Sequence, residues 1–479
     1  MNQRVTMVQP AERKPLDGNG ASRRERVALG WYFSAAVIAA ALLVGEFAGP
    51  MVASMFAVFC AAIVIAWVWR VPQKHLPPGA VWLILLFVVG SVSAVLTLAT
   101  GAGGGIALRD LQRDLLILGS HLLLLIVGYY FSTHWEISRI LLGMLVLVGG
   151  VVSAVQIWEF FLAVSRGVQD LHVLRLEAGR GSVAQVAAVV AVYLITRGMG
   201  QSRLKIVLWA VAAVCLVSIT LTLSRVQLAS LLIFVIAFSA TRLDAKRGRN
   251  LIPSFGRAVV VGLAGICVLA AAIYSIQFFS REAYVFVYEG FVEKTMNSWT
   301  ELFSTSQQSV ADINATYRAF EAEKGMEVFV HGNGLTQWIG HGWGTAVDLG
   351  LDTASTRDDF VRDQAAFLHN GYVNYLVKTG VIGCGLYVAF LLHIGARAVW
   401  GSRREENPEL GLARRQALLG ASASLALGTM TAGGFGFPMG FPALALLIGI
   451  CSGLLPVGKL RRLQSNRGRP GDLRPASLN

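Results

Sequence analysis

The residues best able to do chemistry lie in the stretch 369–383, HNGYVNYLVKTGVIG, which follows a long polar segment and opens a hydrophobic run. Near neutral pH a histidine, with an unperturbed pKa of about 6.5, takes a proton from a hydroxyl within hydrogen-bond reach. At about 100° per residue, His369, Tyr372, Val373, Leu376, Gly380 and Gly383 share one face of a predicted helix. Glycines three apart in an apolar helix admit a neighbouring backbone closely, which would set the rotation of the helix and so the aim of His369. The histidine is therefore a candidate catalytic group at the end of an apolar segment.

The rest of the chain must position it. With 55% hydrophobic and 14% charged residues and a mean hydropathy of +0.59, the 479 residues exclude a soluble domain, because no water-facing surface absorbs that apolar fraction. The fold class expected is all-α, a polytopic membrane protein. A formal charge of +13 would point to nucleic acid in a soluble chain, but in a membrane protein lysine and arginine in short loops set orientation, and no nucleic-acid partner is expected. The five cysteines lie inside apolar stretches and show no disulfide framework or zinc spacing.

A spanning helix needs about 20 predominantly apolar residues. On that criterion about twelve spans are predicted, at 28–46, 51–69, 79–99, 114–131, 138–162, 182–196, 206–222, 226–241, 258–279, 366–395, 415–432 and 441–457. The division between the seventh and eighth, at LTLSRVQLAS, is the weakest, and its alternative is one broken or over-long segment. The basic tails 1–27 and 458–479, together with the loops carrying Arg70, Arg139, Arg203, Lys246 and Arg403, fall on one side, so both termini are predicted cytoplasmic. Helices 1–9 then occupy 28–279 and helices 10–12 occupy 366–457. The segment 280–365, with six basic and thirteen acidic residues, becomes one long extracytoplasmic loop. Its first half reads as an interfacial helix carrying Trp299, and HGNGLTQWIGHGWG as a glycine-rich turn region.

Several arginines oppose the orientation signal. Arg166, Arg175 and Arg180 fall in one outward loop, Arg225 between spans seven and eight, and Arg318 in the long loop. Pairing with Asp170, Glu177 or Glu321 is one explanation; binding an anionic substrate is the other. Lys378 lies inside the tenth span on the face opposite His369, where snorkelling or pairing within the bundle accounts for it. His331 and His341 read as ordinary polar contacts, and the Asp358 and Asp359 pair as solvated loop residues rather than a metal site.

His369 and Asn370, nine intervening residues, then Gly380 and Gly383, resemble the signature of the O-antigen ligase and polymerase superfamily of bacterial membrane glycosyltransferases. ATYRAFEAEKGMEVFVHGNGL resembles its pattern of an arginine, a short helix and a Gly-x-Gly turn, here Arg318, Gly332 and Gly334. TLSRVQLA is similar to its Ser-Arg element, with Val226 where the family often has glycine. GRGSVAQV stands where the family opens its sixth span, with Gly181 and Ser182 in place of Pro-Asn.

The resemblance implies a glycan donor linked to undecaprenyl diphosphate, a periplasmic active site and the bacterial inner membrane. The acceptor would be a sugar of lipid A core in a ligase, or another carrier-linked glycan in a surface-polysaccharide polymerase. Protein O-oligosaccharyl transfer is a further possibility, and a lipid-linked sugar flippase is the rival from another class. The transfer would be inverting and metal-independent, with no cofactor. His369 would activate the acceptor hydroxyl, Asn370 and Tyr372 would contact sugar, and Arg225, Arg318, Arg180 and Arg175 would hold the diphosphate. An arginine fork gives two parallel charge-assisted bonds to phosphate, and one preorganised donor of this kind lowers a barrier by on the order of 3 kcal/mol.

Overall fold

The computed structural model describes residues 18–47, 50–68, 76–100, 106–132, 135–168, 183–199, 202–222, 224–242, 310–350, 364–400, 408–436 and 441–453. Over these residues the protein is mostly helical. Before the long connecting segment come α1 (Gly18–Phe47), α2 (Pro50–Val68), α3 (Ala80–Thr100), α4 (Leu108–Phe131), α5 (Trp135–Ser165), α6 (Val183–Gly198), α7 (Leu204–Thr222) and α8 (Arg225–Arg242). Within and after it come α9 (Val310–His331), α10 (Gly334–Ile339), α11 (Gly371–Trp400), α12 (Pro408–Ala432) and α13 (Pro442–Ser452). Two short strands, β1 (Val347–Asp348) and β2 (Gln364–Ala365), pair antiparallel with Val347 opposite Ala365. Each predicted span except that at 258–279, which lies outside the described residues, overlaps one of these helices.

Among the described residues five helices (α3, α4, α5, α7 and α11) are long and apolar enough to cross a membrane. Their outward faces are apolar too: Val81, Leu85, Val88, Val92 and Val95 follow one another along α3 at helical spacing, all exposed. Ile206, Val207, Trp209 and Val217 do the same on α7. Apolar stripes of that length facing outward mark a membrane protein.

The interior is built on close approach. Helix α6 is buried on nearly every side, and its alanines bring α5 near enough that a Cβ on Gly149 would overlap that of Ala188. In its first turn the Gln185 amide donates to Gln156 (2.6 Å) and Ser218 (2.8 Å), tying α5, α6 and α7 by buried polar bonds. Helices α4 and α13 cross where Gly128 and Gly449 face each other's backbone. Gly449→Ala, whose Cβ would meet the Leu125 carbonyl, is expected to lower stability by about 2 kcal/mol, read as a drop in melting temperature. Gly119→Ala on the open face of α4 is the control, since nothing lies within 4 Å of its Cβ position, and should not lower the melting temperature.

The ambiguous segment around Arg225 is two helices. Thr222 Oγ1 and Gln227 Oε1 bridge the junction at 3.1 Å; α7 packs on α5 and α6, whereas α8 packs along α12.

Two corrections concern the tenth predicted span. His369 does not ride on the helix but precedes it, because the Asn370 side chain accepts from the backbone N–H groups of Tyr372 (3.1 Å) and Val373 (3.3 Å) and so starts α11 at Gly371. Nor is the helix continuous: Gly380 has φ +64° and ψ −168°. The break leaves the carbonyls of Val377 and Lys378 without their helical donors, and the backbone N–H groups of His341 (2.8 Å) and Gly342 (2.9 Å) replace them.

Those donors belong to the glycine-rich region, which is more than a turn. Asn333 caps α10 through Thr336 N–H, and the following residues 340–344 thread between α3, α4 and α11 as a strap. Trp343 donates from its backbone to Gly90 O and from its indole to Phe87 O, each at 3.2 Å; Ser93 Oγ donates to Gly340 O at 2.5 Å. Gly340, Gly342 and Gly344 all have positive φ, and a Cβ on any of them would strike backbone of α11, α3 or α4.

Candidate functional site

His369 sits in the turn between β2 and α11, over a small second core of Phe320, Val347, Leu349, Ala365, Leu368 and Val373. That core joins α9, the strand pair and the first half of α11. Helix α9 comes close because Gly325 is all hydrogen at the point where Leu368 and Val373 press against it.

The approach delivers Glu321. Its carboxylate Oε2 accepts from the His369 backbone N–H at 3.2 Å and lies 2.7 Å from Nδ1 of the ring. The Glu321 side chain is 3% exposed and that of His369 31%, so the acid is sealed beneath a ring that reaches the surface. Tyr317, one turn earlier on α9, stands edge-on to the ring with centroids 6.3 Å apart.

This geometry assigns roles to the ring nitrogens. With Nδ1–H donating to the carboxylate, the lone pair resides on Nε2, the arrangement of a general base. A carboxylate at Nδ1 also stabilises the imidazolium that forms when Nε2 takes a proton, as in the serine hydrolase triads.

Arg318 lies three residues before Glu321 on α9, so the two share a helix face. Arg225 opens α8, which packs along α12; α12 in turn accepts the Tyr372 hydroxyl at Ala426 O (3.1 Å). Arg318 is thus on the helix that carries Glu321, and Arg225 on one that packs along α12. Asn370 is the cap of α11, and Tyr372 is engaged with α12. At Gly380 the close neighbour is the backbone of Trp338 and Ile339, and at Gly383 it is Thr379 and Leu86. Arg175 and Arg180, Asp358 and Asp359, residues 1–17 of the N-terminal tail and the C-terminal tail 458–479 lie outside the described residues, whereas residues 18–27 form the start of α1. Comparison with known proteins finds no matching family model and no matching curated protein.

In the sequence Glu321 stands out only as a possible partner for an arginine. It lies 48 residues from His369, and no local pattern joins them. Lys378 does pair within the bundle: Nζ lies 2.5 Å from Asp114 of α4. Opposite charges inside two apolar helices were the available signal for that pair. His331 is bonded through Nδ1 to Glu327 O (2.8 Å), and burial lowers the pKa of His341, whose backbone serves the strap.

Proposed function

We propose that this protein is a glycosyltransferase of the bacterial inner membrane, of the O-antigen ligase and polymerase type. The single observation that carries the reading is the Glu321–His369 dyad: a buried carboxylate orienting a partly exposed histidine at the start of an apolar helix, with Arg318 three residues before Glu321 on α9. The reading places the dyad on the periplasmic face of about twelve spans, with both termini cytoplasmic and the segment 280–365 lying over the site.

In the reaction a sugar hydroxyl attacks the anomeric carbon of an undecaprenyl-diphosphate-linked glycan. The C–O bond to the diphosphate breaks, the hydroxyl proton passes to Nε2 of His369, and the leaving diphosphate takes the electron pair. Glu321 holds the imidazolium, and Arg318, with Arg225, Arg180 and Arg175, balances the diphosphate charge. A single displacement inverts the anomeric carbon, and these cations supply the leaving-group stabilisation without a metal. Transfer to lipid A core is the favoured activity.

The test uses purified full-length protein in nanodiscs, with carrier-diphosphate-linked glycan, lipid A core and a chelator. Glycan attached to lipid A core is the expected product. Chain lengthening in the absence of lipid A core makes the protein a polymerase. Movement of the donor across a bilayer with no new glycosidic bond overturns the transferase reading in favour of a flippase.

A further inference from the structure

The pairing of Lys378 with Asp114 is the buried part of a larger charged cluster. The Lys378 side chain is 2% exposed and that of Asp114 is 4% exposed. Lys378 Nζ donates to Asp114 Oδ2 (2.5 Å) and also to the carbonyl of Ala366 (2.7 Å). Arg113 Nη2 donates to the same carbonyl (2.9 Å) and lies 3.3 Å from Asp114 Oδ1, while its Nη1 pairs with Asp110 at 2.8 Å. The guanidinium also sits 5.2 Å from the centre of the Phe367 ring. Asp114 Oδ2 accepts one further bond, from the backbone N–H of Gly344 in the strap, at 2.9 Å.

The cluster contains two carboxylates and two cations, so it is balanced. Keeping such charges from water is costly, and a buried pair is weak ground for stability alone. Its geometry is more informative. Ala366 follows β2 and precedes His369 by three residues, and two charge-assisted donors on one carbonyl fix its direction far better than a neutral bond does. Phe367 is held against Arg113, and the Leu368 N–H lies 3.4 Å from Asn374 Oδ1. The turn that presents His369 is thus gripped from α4 and α11 on one side and by Glu321 of α9 on the other.

We infer that Arg113, Asp114 and Lys378 are positioning residues for His369, clamping the 366–369 turn so that Nδ1 stays on Glu321, and that Asp114 ties this setting to the seating of the 340–344 strap. The clamp touches no substrate; it acts through the histidine. The kinetic part of the inference rests on the transferase reading above, and the structural part does not.

The test measures two quantities on full-length protein: the rate at which diethyl pyrocarbonate modifies His369, followed by peptide mass spectrometry, and kcat and KM for transfer. Exposed His331 is the internal standard. In Lys378→Met the His369 modification rate, relative to His331, is expected to rise about tenfold as the turn loosens, with kcat falling about tenfold and donor KM within about twofold. Arg113→Met, which removes one donor to Ala366 and leaves the Lys378 and Asp114 pair intact, should shift both readouts the same way by about threefold. It carries the test alone if Lys378→Met is not monodisperse.

Unchanged His369 reactivity in a folded variant overturns the clamp, as do equal rises at His369 and His331, which mean general loosening, or a change in KM alone. If the wild type transfers no glycan, the transferase reading fails while the modification rates still decide the clamp.

Discussion

His369→Ala is expected to lower the single-turnover rate of glycan transfer by about 10²–10⁴-fold, the range for loss of a positioned general base. Glu321→Gln should cost about 10²-fold, although it removes no group that touches substrate. A glutamine is neutral, cannot stabilise the imidazolium, and can turn its NH₂ toward Nδ1 and select the wrong tautomer. Because the two residues act as one unit, the double variant should be no slower than His369→Ala. Added imidazole should restore part of the rate to His369→Ala and none to Glu321→Gln. Full activity in Glu321→Gln would remove the dyad from the mechanism and leave the 2.7 Å contact as a packing feature.

Gly380→Ala is expected to be the most damaging single substitution for the fold, at about 4 kcal/mol. Two effects add. A φ of +64° with ψ near −168° is a conformation that only glycine holds without strain. A Cβ there would also overlap the carbonyl of Trp338, which is backbone and cannot swing aside. Moving it displaces the strap, and with it the N–H groups of His341 and Gly342 that serve the freed carbonyls of Val377 and Lys378. Thermal unfolding in detergent provides the measurement. Gly385→Ala, one turn on, in regular helix with nothing within 4 Å of its Cβ position, should stay within about 1 kcal/mol of wild type and lean toward stabilisation. Equal melting of the two variants would show that the strap is not seated at Gly380.

The positions of the helices were open to reading in the chain itself, since a backbone in lipid must satisfy its own hydrogen bonds and a helix does so within a few residues. Runs such as 79–99 or 206–222 carry that information locally, and α3 and α7 lie there. The His369 to Gly383 pattern was visible for the same reason. The break at Gly380 was not, because an apolar run reads alike whether its helix is straight or interrupted, and the donors that compensate the break come from residues 341 and 342, across a long connection.

Local patterns in the chain are thus enough to show a helical membrane protein, where most of its helices lie, and that a histidine stands near the start of one of them, though not that it lies outside that helix. That Glu321 holds the histidine, that Lys378 meets Asp114 across 264 residues, and that the glycine-rich region is a strap rather than a turn emerge from the packed bundle alone. The two kinds of feature differ in range. Helix formation is a sum of contacts three and four residues apart, whereas each site pairing depends on how far every helix is rotated and slid against its neighbours, and that is set by the packing of the whole bundle.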